Sequence, residues 1–261
     1  MGRFISFGCS FTHYSWPTWS DFIGYGYDTY YNFGRPGAGN MYIASQVYEM
    51  NHRIGFKGDD TICVMFTSFS RNDFINNNSN WETHGNIFTN DFYNLDYLEK
   101  YWSYEHGIYM SWLAIESTIK LLDSIGCNYK LMSAFDVTIP EVIGEDEYKK
   151  MLEKSRGNHR VQMCTESIVQ RLGDLNLWDF TQNKYMNKTW EQQNYKFEDF
   201  QHPDNHPSIE DHYQWVKNYM PDFYRGDMET QLNDWSKLMV NNKRLTSDNF
   251  RFLQKDSINL H

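Results

Sequence analysis

Several features that would fix a functional class are scarce or missing in this chain of 261 residues. Its cysteines, Cys9, Cys63, Cys127 and Cys164, form no CxxC pair, which argues against a zinc ribbon and a dense disulfide framework. No run approaches the roughly 18 apolar residues that a membrane span needs, and the first residues lack the apolar core of a signal peptide. These absences predict a cytoplasmic protein with reduced thiols.

Clustered lysine and arginine are also missing. The net charge of -10 and the pI of about 5.3 disfavour nucleic acid and anionic membranes as partners. Alanine occurs only at positions 38, 44, 114 and 134, whereas Asn, Tyr, Asp, Phe and Lys abound. This bias resembles the products of AT-rich genomes, those of phages included, so a virion-associated location is kept beside the cytoplasmic one.

Short apolar runs alternate with segments of helical periodicity over most of the chain, of which 40% is hydrophobic. Strands are predicted at 3–8, 30–33, 60–66 and 129–135. Helices are predicted at 16–23 with Pro17 in the first turn, 41–54 after an N-cap at Asn40, 104–125 ending at Gly126, 145–172 and 208–219. The alternation indicates an α/β fold, predicted as a three-layer α/β/α sandwich with a parallel, flavodoxin-like central sheet.

Three segments show little periodicity, namely 74–104, 175–200 and 223–261. The first is rich in Asn, Asp and Tyr and is interpreted as a lid-like insertion with one short helix at its end. The predicted organisation is a domain over 1–222 that carries this insertion, followed by an extension over 223–261 packed on or beside it.

A turn with the sequence Gly8-Cys9-Ser10-Phe11-Thr12 follows the first predicted strand. A sharp turn at the carboxyl end of a strand exposes a serine hydroxyl beside the start of the next helix, where a developing anion is stabilised. A structural turn serine is the commoner explanation of such a Gly-x-Ser. Two later segments follow strands at the same predicted edge: the glycine-rich loop 32–40, and 66–73, which offers several side-chain donors.

A histidine-rich segment over 202–208 precedes the last predicted helix. It has three interpretations: a solvated loop, a metal site of His202, Asp204 and His206, or a histidine base supported by a carboxylate. The third gives the serine turn a use, because a histidine can take the proton of a serine hydroxyl while a carboxylate fixes its tautomer.

Taken together and in order, these segments resemble the SGNH hydrolase family of GDSL-type esterases and lipases, over roughly residues 3–220. Gly8-Cys9-Ser10 is similar to the family's first block, with Cys9 where many members have Asp. Asn32 and Gly37 reproduce the spacing of its second block. The resemblance implies that Ser10 is the nucleophile and that the backbone N–H groups of Ser10 and Gly37 belong to an oxyanion hole.

The two later blocks of the family have irregular counterparts. Asn72 of Arg71-Asn72-Asp73 is similar to the third-block Asn, which completes the oxyanion hole, with Thr67, Ser68 or Ser70 as alternatives at that place. The final block implies His206 as the base with Asp204 as its acid partner, and Asp199 with His202 is the competing register. A backbone carbonyl in place of the Asp would leave a Ser-His dyad.

The resemblance implies a serine esterase that acts through an acyl-enzyme and needs no cofactor. Its substrates would be small-molecule or carbohydrate esters, with lipids and thioesters open as well. Trp81, Trp102, Trp178 and Trp190 offer faces for sugar stacking, although such residues more often belong to the core. The alternatives are a noncatalytic binding or structural module and a metal-dependent enzyme. A hydroxyl of Ser10 within hydrogen-bond reach of a histidine nitrogen would favour the esterase over the binding module. The sequence leaves the oligomeric state open.

Overall fold

Four parallel strands form the central sheet of the protein, for which a computed structural model describes residues 2–88, 92–93, 95–135, 137–138, 145–172 and 206–241. The sheet consists of β1 (Phe4–Gly8), β2 (Tyr30–Gly34), β3 (Thr61–Phe66) and β6 (Asn128–Ser133), in the spatial order β2-β1-β3-β6. A separate antiparallel hairpin consists of β4 (Arg71–Ile75) and β5 (Trp81–Asn86). The predicted α/β fold with a parallel sheet is confirmed.

The central strands are buried because helices cover both faces of the sheet. All five residues of β1 and the last five of β3 are buried, as the apolar run over 60–66 predicts. Successive side chains of a strand point to opposite faces. Ser6 contacts Ser20 of the first helix, with 2.5 Å between the two hydroxyl oxygens, whereas Phe7 packs on Phe56 beyond the second helix.

Eight α-helices lie within the described residues: α1 (Trp19–Gly24), α2 (Asn40–Ile54), α3 (Leu95–Tyr101), α4 (Tyr104–Ile125), α5 (Glu145–Ser155), α6 (His159–Leu172), α7 (Ile209–Tyr219) and α8 (Met228–Asn241). On one side α1 packs on β1, β2 and α7, and α7 packs on α8. On the other, α2 packs on β1, β3 and α4, and α4 packs on α6. None of these helices is long and apolar enough to cross a membrane.

Helix ends depart from prediction where local hydrogen bonds decide them. α1 begins at Trp19, after Pro17, because the carboxylate of Asp21 accepts the backbone N–H of Thr18 at 2.8 Å and caps the helix there. The predicted N-cap at Asn40 is wrong: Gly39 is the N-cap and Asn40 is the first helical residue. The predicted helix over 145–172 is two helices, separated by a turn in which Gly157 has a φ of +82°.

The segment interpreted as an aperiodic insertion is more regular than predicted. The hairpin already starts at Arg71, so Asn72 and Asp73 lie within a strand. Arg71 pairs with Asn86 and Asp73 with Thr83, with an irregularity between the two pairs. The short helix expected at the end of the segment is present as α3.

The beginning of the C-terminal extension is helical where no periodicity was predicted. A short 3-10 helix spans Pro221–Phe223, and α8 follows. Trp235 of α8 packs its ring on Phe22 of α1, with 4.8 Å between ring centroids. The described part of the extension thus lies against the helix that follows Ser10.

Candidate active site

Ser10 lies in a tight turn directly beyond β1. The carbonyl of Cys9 accepts the backbone N–H groups of Thr12 at 2.9 Å and His13 at 3.2 Å, which closes the turn. A Cβ on Gly8 would lie 2.1 Å from the hydroxyl oxygen of Thr12, so this close approach requires glycine. The sequence Gly-x-Ser therefore places the serine side chain at the carboxyl edge of the central strand.

The hydroxyl of Ser10 meets the imidazole of His206. The distance between Ser10 Oγ and His206 Nε2 is 2.8 Å, although 196 positions separate the residues. With the proton of the imidazole on Nδ1, the serine hydroxyl donates to Nε2, which is the arrangement a general base needs. The geometric condition that favours the esterase over a binding module is met.

Aromatic residues of the same turn hold the imidazole in place. The ring of Tyr14 stacks on His206 at 3.9 Å between centroids and 19° between planes, and Phe11 contacts its edge at 5.7 Å. Trp16 Nε1 donates to the carbonyl of Pro207 at 2.8 Å. Ring packing and this backbone contact together restrict the orientation of His206.

The helix after His206 is fixed by its own cap. Ser208 Oγ accepts the backbone N–H of Asp211 at 3.1 Å, and the carboxylate of Asp211 accepts the backbone N–H of Ser208 at 2.8 Å. The N-cap of α7 therefore lies two residues beyond His206, which ties the position of the imidazole to a rigid element. The predicted helix start at this Ser is confirmed.

A second histidine, His212, lies close to His206 but is buried. Burial, together with the charge of His206, lowers the pKa of His212 to about 3. His212 is therefore neutral at physiological pH.

The loop after β2 runs beside the serine turn. β1 and β2 pair in register up to Gly8 and Gly34, and the backbone N–H of Arg35 donates to the carbonyl of Gly8 at 2.9 Å. Asn32 Nδ2 donates to the carbonyl of Thr12 at 2.8 Å, and Asn32 Oδ1 accepts the N–H of Gly34 at 2.9 Å. Asn32 thus ties the two loops together.

Gly37 has a backbone conformation that other residues avoid, with a φ of +76°. Its carbonyl accepts the N–H of Gly85 in the hairpin at 3.0 Å. Its own N–H, like that of Ser10, has no acceptor among the described residues. Both N–H groups predicted for the oxyanion hole are therefore available.

Asn72 lies on β4. Its backbone carbonyl accepts the hydroxyl of Tyr93 at 2.8 Å, and its side-chain amide makes no hydrogen bond within the part of the chain that the structure describes. The side chain lines a cleft of about 380 Å³. Other residues that line this cleft are Arg71, Trp81, Trp102, His106 and Met110.

The alternatives to Asn72 after β3 are engaged in the core. Thr67, Ser68 and Ser70 are fully buried. The hydroxyl oxygens of Ser68 and Ser70 lie 2.9 Å apart, and the backbone N–H and carbonyl of Thr67 each bond the side chain of Asn40 at 2.8 Å. These contacts give Ser68, Ser70 and the backbone of Thr67 structural roles, whereas the buried hydroxyl of Thr67 makes no hydrogen bond within the described residues.

Ring contacts link Arg71, which lines the cleft, to the serine turn. The guanidinium carbon of Arg71 is 5.2 Å from the ring centroid of Phe135, and Phe135 packs on Phe11 at 5.1 Å. Phe11 in turn contacts the edge of His206. Arg71 therefore connects the lining of the cleft with the ring cluster around the imidazole.

Other predicted residues cannot be placed. Five of the predicted residues lie outside the described part of the chain: Asp199, His202, Asp204, Trp178 and Trp190. The acid partner of His206 and the metal site of His202, Asp204 and His206 therefore stay predictions. Among the residues that are described, no group of three His, Cys, Asp or Glu side chains could hold a metal ion. All four cysteines are buried and unpaired, and burial raises the pKa of the Cys63 thiol to about 12.

Sequence reasoning missed Tyr14, Trp16 and Asp73. Tyr14 and Trp16 have no periodic signal, and their position a few residues beyond Ser10 was the only clue. Asp73 accepts two backbone N–H groups at the start of α2, from Gly39 at 2.8 Å and from Tyr42 at 2.9 Å. A search of the local sequence for helix caps cannot find a carboxylate that lies on a distant strand.

Comparison of the chain with protein-family models, with curated proteins and with solved structures finds no match.

Proposed function

We propose that this protein is a serine hydrolase of the SGNH type, which cleaves an acyl or O-acetyl ester through an acyl-enzyme. The observation that carries the proposal is the distance of 2.8 Å between Ser10 Oγ and His206 Nε2. The proposal includes the finer fold, a three-layer α/β/α sandwich with a flavodoxin-like sheet, and it is supported by helices on both faces of the strand order β2-β1-β3-β6. Such sheets place their sites beyond the carboxyl ends of the strands, where Ser10 lies.

The proposed reaction begins with proton transfer from Ser10 to His206. As Nε2 takes the proton, Oγ attacks the ester carbonyl carbon and forms a tetrahedral intermediate. The C–O bond to the alcohol then breaks, and the imidazolium returns its proton to the leaving oxygen. A water molecule, deprotonated by His206, hydrolyses the acyl-enzyme and releases the acid.

Three donors are proposed for the negative oxygen of the tetrahedral intermediate: the backbone N–H groups of Ser10 and Gly37 and the side-chain amide of Asn72. The absence of competing acceptors for the two N–H groups among the described residues supports this role. Donors that are already oriented lose no energy in reorganising during the reaction, and each typically contributes about 3 kcal/mol to the transition state.

We propose Asp204 as the carboxylate that orients His206. In the competing register, His202 is the base and Asp199 is its carboxylate partner. A carboxylate at Nδ1 would keep the proton on that nitrogen and leave Nε2 free to accept from Ser10. Substitution of Asp204 and Asp199 separately by Asn tests the choice, because only the true partner should lower kcat strongly.

The proposed substrate is an ester of a small molecule or carbohydrate. The cleft of about 380 Å³ beside Asn72 supports this class, since Trp81 and Trp102 are among the residues that line it. Polar groups of Arg71 and His106 lie in the same cleft and offer hydrogen bonds to hydroxyl groups. An ester with its acyl group at Ser10 and its alcohol portion in this cleft would contact both the tryptophans and these polar groups.

The test is a panel of p-nitrophenyl esters and O-acetylated sugars, assayed with the wild type and Ser10→Ala. We expect hydrolysis of at least one ester and its loss in the variant. Ser124→Ala removes an exposed serine hydroxyl from α4 and should leave the activity unchanged. Equal hydrolysis by the wild type and Ser10→Ala would exclude Ser10 as the nucleophile.

A further inference from the structure

The hairpin is fastened to the loop that carries Gly37. Arg35 Nη2 donates to the carbonyl of Trp81 at 3.0 Å, Thr83 Oγ1 donates to the carbonyl of Pro36 at 3.1 Å, and Gly85 N–H donates to the carbonyl of Gly37 at 3.0 Å. A Cβ on Gly37 would lie 2.2 Å from the carbonyl oxygen of Thr83. Three hydrogen bonds and this close approach fix the loop against β5.

Asp73 fastens the far end of the same loop from β4. Asp73 Oδ1 accepts the N–H of Gly39 at 2.8 Å, and Asp73 Oδ2 accepts the N–H of Tyr42 at 2.9 Å. The N-cap of α2 is Gly39, which has no side chain of its own to satisfy these N–H groups. Asp73 therefore acts as the cap of α2 from outside the helix. The N-cap residue that it binds, Gly39, lies two residues beyond Gly37.

The surroundings of Asp73 are mixed in charge. The cations near it are Arg71 on the same strand and Arg35 from the loop after β2. Other titratable groups on the elements packed around it are Tyr42 on α2, Glu82 and His84 on either side of its partner Thr83, and His106 of α4 in the shared cleft. Burial outweighs the two N–H donors and both cations and raises the pKa of Asp73 to about 6.

We propose that Asp73 is a positioning residue that holds the peptide of Gly37 in the orientation needed for the oxyanion hole. The inference rests on the proposed esterase function, because it assigns Asp73 a part in that reaction through Gly37. Asp73 acts through the backbone, because its two carboxylate oxygens accept the N–H groups of Gly39 and Tyr42. Its ionised form accepts both N–H groups, whereas an Asn side chain offers one oxygen and turns an NH₂ group toward the other donor.

The first experiment does not depend on activity. In wild-type protein labelled with ¹⁵N-glycine and ¹⁵N-tyrosine, the amide resonances of Gly39 and Tyr42 should titrate with a midpoint near pH 6, and that of Gly37 should follow. This titration should persist in His206→Ala, which separates it from protonation of the imidazole, and should vanish in Asp73→Asn. A Gly37 resonance that neither titrates with Gly39 nor moves in Asp73→Asn would overturn the proposal. The wild-type titration decides the matter if Asp73→Asn does not fold.

The second experiment measures ester hydrolysis. Asp73→Asn should lower kcat about 100-fold with little change in KM, as expected when one oxyanion donor is misplaced. Asp222→Asn, which removes an exposed carboxylate, should match the wild type. An unchanged kcat per folded molecule of Asp73→Asn would contradict the inference. Absence of any Ser10-dependent hydrolysis in the wild type would refute the proposed function instead, and the resonances of Gly37 and Gly39 would then test only whether Asp73 holds the loop.

Discussion

The turn after β1 and the hairpin after β3 leave the same edge of the sheet and present their polar groups differently. The turn directs the buried hydroxyl of Ser10 to His206, at 2.8 Å. The hairpin directs the carboxylate of Asp73 inward, to the N–H groups of Gly39 and Tyr42. In the first case a buried hydroxyl contacts the side chain of its partner, and in the second a carboxylate supports a backbone.

This difference follows from local chain geometry. Only the four residues 9–12 of the tight turn lie between β1 and His13, and the imidazole that Ser10 meets is packed against Tyr14 and Phe11. Beyond β3 the chain pairs with itself as an antiparallel hairpin, in which β4 packs on α2 and lines the cleft together with residues of α4. In the proposed enzyme the turn supplies the chemistry and the hairpin supplies positioning, with Asn72 as the one hairpin side chain that enters the reaction.

The largest effect is expected at His206. His206→Ala should lower kcat/KM for an ester by about 10²- to 10⁴-fold, because Ser10 loses the group that takes its proton. Steady-state kinetics measure this loss. His159→Ala removes an exposed histidine at the start of α6 and should behave as the wild type. Activity retained in His206→Ala would show that His206 is not the base that activates Ser10.

A second substitution tests how far the hairpin takes part. If Asn72 donates to the oxyanion, Asn72→Ala should lower kcat about 100-fold with KM nearly constant. The exposed Asn128 at the edge of the sheet provides the control, Asn128→Ala. A loss of less than about threefold, well below the effect of removing an oxyanion donor, would mean that the hairpin contributes positioning alone.

A third prediction concerns the buried His212 and the pH dependence of the free energy of unfolding. His212 has its usual pKa of about 6.5 in the unfolded chain and a pKa of about 3 when folded, so the unfolded state binds more protons between these pH values. Its contribution to the free energy of unfolding should therefore fall by about 1.4 kcal/mol per pH unit as the pH drops below 6.5. Asp73 acts oppositely, because its raised pKa makes the folded state bind the extra proton between about pH 4 and 6.

The contribution of His212 is isolated by comparing urea unfolding of the wild type and His212→Asn over this pH range. The variant should lose less stability on acidification. His159→Asn should keep the wild-type dependence. Parallel curves for the wild type and His212→Asn would show that His212 does not need to stay neutral in the folded protein.

The smallest effect is expected at Trp16. Trp16→Phe leaves the carbonyl of Pro207 without its donor, which should cost about 1–3 kcal/mol of stability and lower kcat severalfold by loosening His206. Trp19→Phe is a matched control, because Trp19 is also buried and its Nε1 makes no hydrogen bond in the described structure. Equal losses in both variants would assign the effect to packing alone.

The fold could be predicted in outline from the sequence because the strands of a covered parallel sheet are apolar runs. The run over 60–66 became β3, and the spacing over 104–125 became α4 with Gly126 in a left-handed conformation at its end. The hairpin was missed because its strands are polar and half-buried, with neither an apolar run nor a clean alternation. The helix at Met228–Asn241 was missed although Met228, Leu232, Trp235 and Leu238 follow helical spacing.

The candidate site was predictable where one short segment fixes one position. Gly8-Cys9-Ser10 sets the turn by the close approach of Thr12 to Gly8, and Ser208 with Asp211 sets the start of the helix after His206. That these segments meet depends on the packing of α1 against α7, which no local pattern encodes. The same holds for Asp73, whose partners lie 31 and 34 positions away.

Reaction of the protein with a fluorophosphonate, followed by peptide mass spectrometry, tests whether Ser10 is a nucleophile activated by His206. An activated serine hydroxyl attacks the phosphorus, loses its proton to the base and displaces fluoride, which leaves a stable adduct. We expect one modified residue, Ser10, and a strongly slowed modification in His206→Ala. Modification of another residue, or of Ser10 at the same rate in His206→Ala, would contradict this expectation.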